Sequence, residues 1–167
     1  MAYDVQDILS KIRNGEYKLI GFGSCRRVFN LNNGYVVKVA TDERGIEQNK
    51  AENSIFHNSK SPFFAEINHI SDDCRFLVMA KAKQIKKIRT VYNFYKVRNL
   101  DHLLKVNNLY EDLKNNELST GDLNRASSWG FVNGVPVIID YGLTRSLFKK
   151  YYGRNMLLRR RYPPLKY

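Results

Sequence analysis

Two aspartates stand 18 residues apart in Gly121-Asp122-Leu123 and Ile138-Ile139-Asp140-Tyr141-Gly142. Between them lies Trp129 to Ile139, with an Asn133-Gly134 turn that suits a hairpin. Carboxylates presented from the two loops that flank a hairpin can divide the work of phosphoryl transfer. One orients or deprotonates an accepting hydroxyl, and the other holds a divalent cation against phosphates. Either aspartate alone is more often a helix or turn cap. Upstream, Lys38 interrupts the apolar run Val36-Val37-Lys38-Val39-Ala40. An ammonium on a strand that is otherwise buried needs an anionic partner, because desolvating it alone costs several kcal/mol. Glu52, with Ile55 and Phe56 at helical spacing on the same face, is a suitable partner; Glu47 competes with it, and a bare surface lysine on an edge strand is the plainer alternative. Gly21-Phe22-Gly23-Ser24-Cys25-Arg26 precedes Lys38 and lies between two predicted strands. Glycines there let backbone N–H groups approach phosphate oxygens, although a Gly-x-Gly hairpin is more often a simple turn.

The elements that must position these groups change character along the chain. Val5, Ile8, Leu9 and Ile12 predict a short amphipathic helix over residues 3–13, ended by Asn14-Gly15. Strands are expected over 17–20, 27–31 and 35–40, then a helix over 45–58. Two further strands are expected within 63–82, broken by Ser71-Asp72-Asp73. Beyond residue 82 the pattern turns helical, over 85–97 and 100–115, with Leu103, Leu104, Val106, Leu109, Tyr110 and Leu113 as expected core. Pro163-Pro164 ends any helix in the tail.

The order of Gly21-Phe22-Gly23, Val37-Lys38-Val39, Glu52, Gly121-Asp122-Leu123 and Asp140-Tyr141-Gly142 resembles the protein-kinase-like superfamily. The Gly-Asp-Leu and Ile-Ile-Asp-Tyr-Gly forms lean toward its bacterial, phage and small-molecule branches, such as the aminoglycoside and choline kinases. The segment Gly45 to Glu52 resembles the glutamate helix of small bacterial and phage members, which favours Glu52 over Glu47. The likeness runs from about residue 17 to residue 144.

That resemblance implies an α+β, two-lobed fold: an N-lobe over residues 1–82 with an antiparallel sheet and one glutamate-bearing helix, and a short, mainly helical C-lobe over 83–167 with a β-hairpin. It implies ATP and Mg²⁺ as cofactors and Asp122, Lys38 and Glu52 as catalytic residues. The nucleotide would contact Gly21, Phe22, Gly23, Ser24, Val28, Lys38, Met79 and the hinge residues Ala80 to Ala82. Asp140 would hold the metal.

Three departures from the pattern shape the expectation. The third loop glycine is Arg26, which either stiffens the loop or brings its own cation to the phosphates. The asparagine expected five residues after Asp122 is Ser127, a shorter oxygen donor, with Asn124 or Ser128 as possible substitutes. Twenty-five residues follow Gly142, where full protein kinases add a large helical subdomain, so a reduced C-lobe is expected. The leading functional expectation is therefore phosphoryl transfer to a protein hydroxyl, including the chain's own. The alternative is a kinase-like binding module that regulates a protein or nucleic-acid partner without turnover.

Charge adds a partner class. The net charge is +12, yet residues 1–80 hold ten basic and ten acidic residues, and the excess lies in residues 81–167, with eighteen against six. Lys81 to Arg98 and Arg145 to Lys166 contain no acidic residue. Such a field attracts nucleic acid, acidic protein or phosphorylated substrate, and it also describes an ordinary solvated face. Tyr151, Tyr152, Tyr162 and Tyr167 among the tail arginines suit nucleic-acid stacking; equally, Leu147, Phe148, Leu157 and Leu158 suit a tail packed back on the domain. Cys25 and Cys74 lack metal or redox spacing, and His57, His69 and His102 do not cluster at ligand spacing. No apolar run approaches the roughly 20 residues of a membrane span, which makes a cytoplasmic location without membrane contact the expectation.

Overall fold

The computed structural model describes residues 3–161, with side chains described as far as Gly153. Its first helix, α1 (Val5–Arg13), is capped by the Asp4 carboxylate, which accepts from the Gln6 amide. Three antiparallel strands follow: β1 (Leu19–Phe22), β2 (Arg26–Asn30) and β3 (Tyr35–Ala40). The turn between β2 and β3 uses Asn32 and Gly34 at φ of 60° and 89°, a region these residue types tolerate. α2 (Glu43–Asn58) begins at Asp42, whose carboxylate accepts from the Gly45 amide at 3.1 Å. That cap is worth about 1 kcal/mol. β4 (Ile67–Ile70) and β5 (Phe76–Ala80) complete a five-stranded sheet in the order β1-β2-β3-β5-β4.

Alternation along β3 explains how one strand serves two layers. Val37 joins Ile8, Leu31, Phe76 and Val78 in a core covered by α1. Val36, with Leu77, Met79, Ile67 and Ile55, belongs to the larger core on the opposite side. Lys38 shares the Val36 side by period two, facing α2 rather than α1.

After β5 come β6 (Lys83–Gln84), α3 (Arg89–Phe94), α4 (Leu100–Leu103) and α5 (Leu109–Asn115). Two turns of 3-10 helix, Gly121–Asn124 and Ala126–Ser128, lead into β7 (Trp129–Val132) and β8 (Val135–Ile138), which pair around Asn133-Gly134. β6 joins β7 in a second, three-stranded sheet. α6 (Arg145–Arg161) closes the described chain. The fold is α+β, as expected.

The helical half differs from its sequence pattern in two places. The helix expected over 100–115 is broken, because Asn107 and Asn108 adopt φ of 46° and 60°. Leu103, Leu109 and Leu113 nonetheless all lie within 1% of complete burial and Leu104 and Val106 are partly buried, but Tyr110, expected in the core, is 50% exposed, because the break at Asn107-Asn108 shifts the face that follows it. The helix expected over 85–97 shrinks to six residues, since Lys83–Gln84 pair with β7 and Ile85 turns inward. Trp129 is fully buried against Phe63 and donates its indole N–H to the Leu123 carbonyl.

The halves are stitched together by backbone and side chain. Ile138 donates to the Phe63 carbonyl and accepts from Ala65. Buried Asp112 on α5 accepts from the Lys60 and Ser61 amides just past α2. α6 returns to α2, where Lys150 and Tyr151 approach Glu43. α6 thus comes back to α2 through polar contacts, while of the apolar residues expected to pack it Leu147 is half-buried and Phe148 is 38% exposed; Tyr162, Pro163, Pro164 and Tyr167 lie outside the described residues, as do the side chains of Leu157, Leu158 and Arg159 to Arg161. Among the described residues no helix is long and apolar enough to cross a membrane.

Candidate active site

Lys38 lies at the middle of the sheet, opposite Val28 on β2 and Leu77 on β5. Its ammonium bonds both Glu52 carboxylate oxygens, at 2.7 and 2.9 Å, and the Ile139 carbonyl at 2.8 Å. Glu52 is fully buried on α2. Glu47, the competing partner, instead pairs with Lys50 on the surface.

A second cation shares Glu52. The Arg26 guanidinium sits 3.0 Å from Glu52 Oε1, 3.4 Å from Asn49 Oδ1 and 3.2 Å from Asp140 Oδ1. Asn49 is itself fully buried and pinned by donating to the Cys74 and Arg75 carbonyls. Burial pushes the Glu52 carboxyl up, but Arg26 and then Lys38 outweigh it and hold the group below its ordinary range. For Lys38 burial is the largest influence and lowers the ammonium against the pull of Glu52. The cluster is ionic on both sides, with Glu52 the firmly charged centre between two cations.

Close backbone approach makes this assembly possible at two glycines. A Cβ on Gly45 would meet the Cys25 carbonyl at 2.3 Å, so only glycine lets α2 seat against the glycine hairpin. A Cβ on Gly142 would fall 2.7 Å from the Gln48 carbonyl and 3.0 Å from Glu52 Cγ. Gly142 thus presses the Asp140 loop onto α2, and the Tyr141 hydroxyl anchors the loop by donating to the Ala65 carbonyl.

Asp122 occupies the first 3-10 turn. Its carbonyl accepts from the Ser128 hydroxyl at 2.8 Å and from the Arg125 amide, which fixes the loop while leaving the carboxylate half exposed and 3.5 Å from Arg125. Ser128 is buried in this role.

A cleft of about 680 Å³ is lined by Gly21, Phe22, Gly23, Ser24, Arg26, Val28, Lys38, Met79, Ala80, Ala82, Ser127 and Asp140. Of the nucleotide-contact residues expected from sequence, all but the hinge residue Lys81 line this one space, whose size is within the usual range for a small-molecule site. A smaller cavity of about 190 Å³ holds Asp122, Arg125 and Ser128, and Asp140, Ser127 and Leu143 line both. Lys38, Asp122 and Asp140 therefore converge on adjoining spaces, although Lys38 and Ile139 are 101 residues apart.

Asn124 is not brought into either space; its carboxamide oxygen accepts from the Tyr92 hydroxyl at 2.7 Å. Of the three substitutes considered for the missing asparagine, Ser127 is the one positioned beside Asp140 without a competing structural bond. Sequence reasoning also missed Asn49, Gln48 and Tyr152. Asn49 was findable, since it stands three residues before Glu52 on the same helical face. Tyr152 reaches the cleft only because α6 folds back, which no local pattern announces.

Among the described residues no group of three or more His, Cys, Asp or Glu side chains could hold a metal by itself. Asp140, with its carboxylate 68% exposed in the cleft, and Ser127 offer the sparse oxygen set that suits Mg²⁺, which keeps most of its shell for phosphate and water.

No protein-family model and no curated protein matches the chain. Among solved structures, the chain is similar to APH(2")-IIa in its ternary complex with streptomycin and ATP, at 15% identity over 85% of this chain and 72% of that one, with a TM-score of 0.48. It is similar to the gentamicin complex of APH(2")-IIa at 18% identity, covering 85% and 71%, with a TM-score of 0.46. SAICAR-synthase from Saccharomyces cerevisiae, complexed with SAICAR, gives 12% identity, 92% and 88% coverage and a TM-score of 0.45.

Proposed function

We propose that the chain is an ATP- and Mg²⁺-dependent phosphotransferase of the protein-kinase-like kind. One observation carries the reading: Lys38, paired with buried Glu52, lines one cleft with Asp140 and the glycine hairpin, and Asp140 also lines the adjoining cavity that holds Asp122.

In this reading Lys38, held upright by Glu52, contacts the α- and β-phosphates, and the hairpin backbone from Gly21 to Ser24 covers them. Val28 and Met79 form the apolar walls for the base. The Ala80 and Lys81 amides already donate to the Glu66 and Gly34 carbonyls, so base recognition at this segment falls to its carbonyls and to Ala82. Asp140, with Ser127, would hold Mg²⁺, which neutralises charge on the phosphate oxygens. Asp122 orients or deprotonates the acceptor hydroxyl. The small cavity around Asp122 gives that hydroxyl an entry of about 190 Å³, room for a single side chain presented by a protein, including a second copy of this chain.

Incubation with γ-labelled ATP should yield labelled protein, and the signal should vanish in Asp122→Ala and in Asp140→Ala. Label persisting in both variants would reject the assignment. A second reading, a nucleotide-binding module without turnover, draws on the Arg26 ion pair to Asp140 and on the serine at position 127. Nucleotide-dependent thermal stabilisation with no label transfer to any acceptor would select it.

A further inference from the structure

Arg26 occupies the position where the resemblance leads one to expect a third loop glycine, and its side chain is neither splayed into solvent nor packed away from the site. It enters the cleft and is 8% exposed. One edge of the guanidinium is anchored in the interior, where a terminal nitrogen bonds Glu52 Oε1 at 3.0 Å and Asn49 Oδ1 at 3.4 Å. The other terminal nitrogen makes a single 3.2 Å contact to Asp140, whose carboxylate is 68% exposed. The two edges differ in strength. The inner contacts are buried and shared with a fixed carboxylate, whereas the outer pair is solvent-screened and held by one bond.

The charges make the asymmetry informative. Lys38 and Arg26 bring two cations to one buried carboxylate, and the exposed Asp140 balances the surplus. A guanidinium carries five N–H donors, and Asp140 engages the outer edge through a single contact. The groups best matched to such an edge are phosphate oxygens, which guanidinium binds in a planar, forked fashion. Ser127, which lines the same cleft, is a poorer metal ligand than the asparagine expected at its position, so this site has fewer protein oxygens for divalent cations and one more fixed positive charge.

We propose that Arg26 is a polyphosphate-binding cation built into the site, supplying part of the charge neutralisation otherwise left to divalent metal and making triphosphate binding partly independent of metal. The proposal rests on the phosphotransferase reading and specifies how its phosphate subsite works. Arg26 keeps its hold on Glu52 and Asn49 and exchanges its outer contact from Asp140 to the β- and γ-phosphate oxygens, which frees the Asp140 carboxylate.

The test measures binding of adenylyl imidodiphosphate, a non-hydrolysable ATP analogue, and of AMP to the full chain by calorimetry, each in EDTA and in Mg²⁺. In EDTA the wild-type chain should bind the analogue, and Arg26→Met should weaken that binding by about 10- to 100-fold, the range for a hydrogen bond to a charged group. AMP, which lacks the outer phosphates, should bind both proteins alike, a result that a merely structural role for Arg26 would not give. Arg26→Lys keeps the charge without the fork and should recover part of the loss, which keeps the test available if the methionine variant does not fold. Equal weakening of analogue and AMP, or no weakening of either, overturns the proposal while leaving the phosphotransferase reading intact. Wild-type protein that binds neither ligand, with or without Mg²⁺, removes that reading and this proposal together.

Discussion

Lys38, Arg26 and Glu52 stand on strands and a helix and are 6%, 8% and 0% exposed, while Asp122 and Asp140 stand on loops with side chains 49% and 68% exposed. In the sheet half the candidate charges are also structural charges, because each is buried and both Lys38 and Arg26 depend on the one Glu52 carboxylate. In the helical half the carboxylates are held indirectly. The loop backbone is pinned by Ser128, Trp129 and Tyr141, and the side chains face water. Stability and chemistry should therefore be separable in the second half and inseparable in the first.

Substitution of the loop carboxylates is the most severe test of that contrast. Asp122→Ala should lower label transfer by about 10²- to 10⁴-fold, the usual span for a general acid–base group, and Asp140→Ala, which removes the carboxylate proposed to hold the metal, should abolish detectable transfer, both with melting temperatures close to wild type. Variants that melt early would show that the loops are structural after all. Next in size, Glu52→Gln should cost about 3–5 kcal/mol in denaturant unfolding, because it leaves two buried cations facing a neutral amide. Lys38→Met should cost less, since Arg26 still neutralises Glu52.

Acid titration approaches the same residue from another direction. Glu52 is held below its ordinary range in the fold, so its contribution is fully present above its unfolded pKa of about 4.3 and is lost as pH falls toward the depressed folded value. Melting temperature against pH should fall more steeply for wild type than for Glu52→Gln in that acidic window. Parallel profiles would mean that Glu52 is not the charged centre of the cluster. The smallest effect belongs to the seam between the halves. Asp112→Ala removes the acceptor of the Lys60 and Ser61 amides and should cost about 2 kcal/mol without changing nucleotide affinity. A change in affinity would show that the seam sets the cleft geometry.

The same contrast governs what could be read before the structure. β3 begins and ends where its apolar pattern does, and the hairpin at Asn133-Gly134 lies where its turn residues place it, because alternation and turn chemistry are local properties. The need for a carboxylate partner was legible because a lone ammonium on a buried strand demands one, whereas the choice of Glu52 over Glu47 came from the resemblance of the Gly45 to Glu52 segment. The helical half was less legible. Asn107 and Asn108 carry no signal strong enough to predict two consecutive residues at positive φ, and the apolar spacing ran through them unbroken. Arg26 presented two equal options, a stiffer loop or a cation in the site, and only its contacts to Glu52, Asn49 and Asp140 decide between them.

By itself, then, the sequence determined the strands and helices of the first half, the hairpin at Asn133-Gly134 and the need for a carboxylate opposite Lys38, since each follows from neighbours within a few turns of chain. The tertiary structure alone decided that Arg26 and Asp140, 114 residues apart, share one cleft, that Asn124 turns away toward Tyr92, and that Tyr152 returns to the glycine hairpin. The first of those outcomes depends on where Gly45 and Gly142 allow backbone to press against α2 and the glycine hairpin, which is a matter of space between segments and leaves no periodic trace in either one.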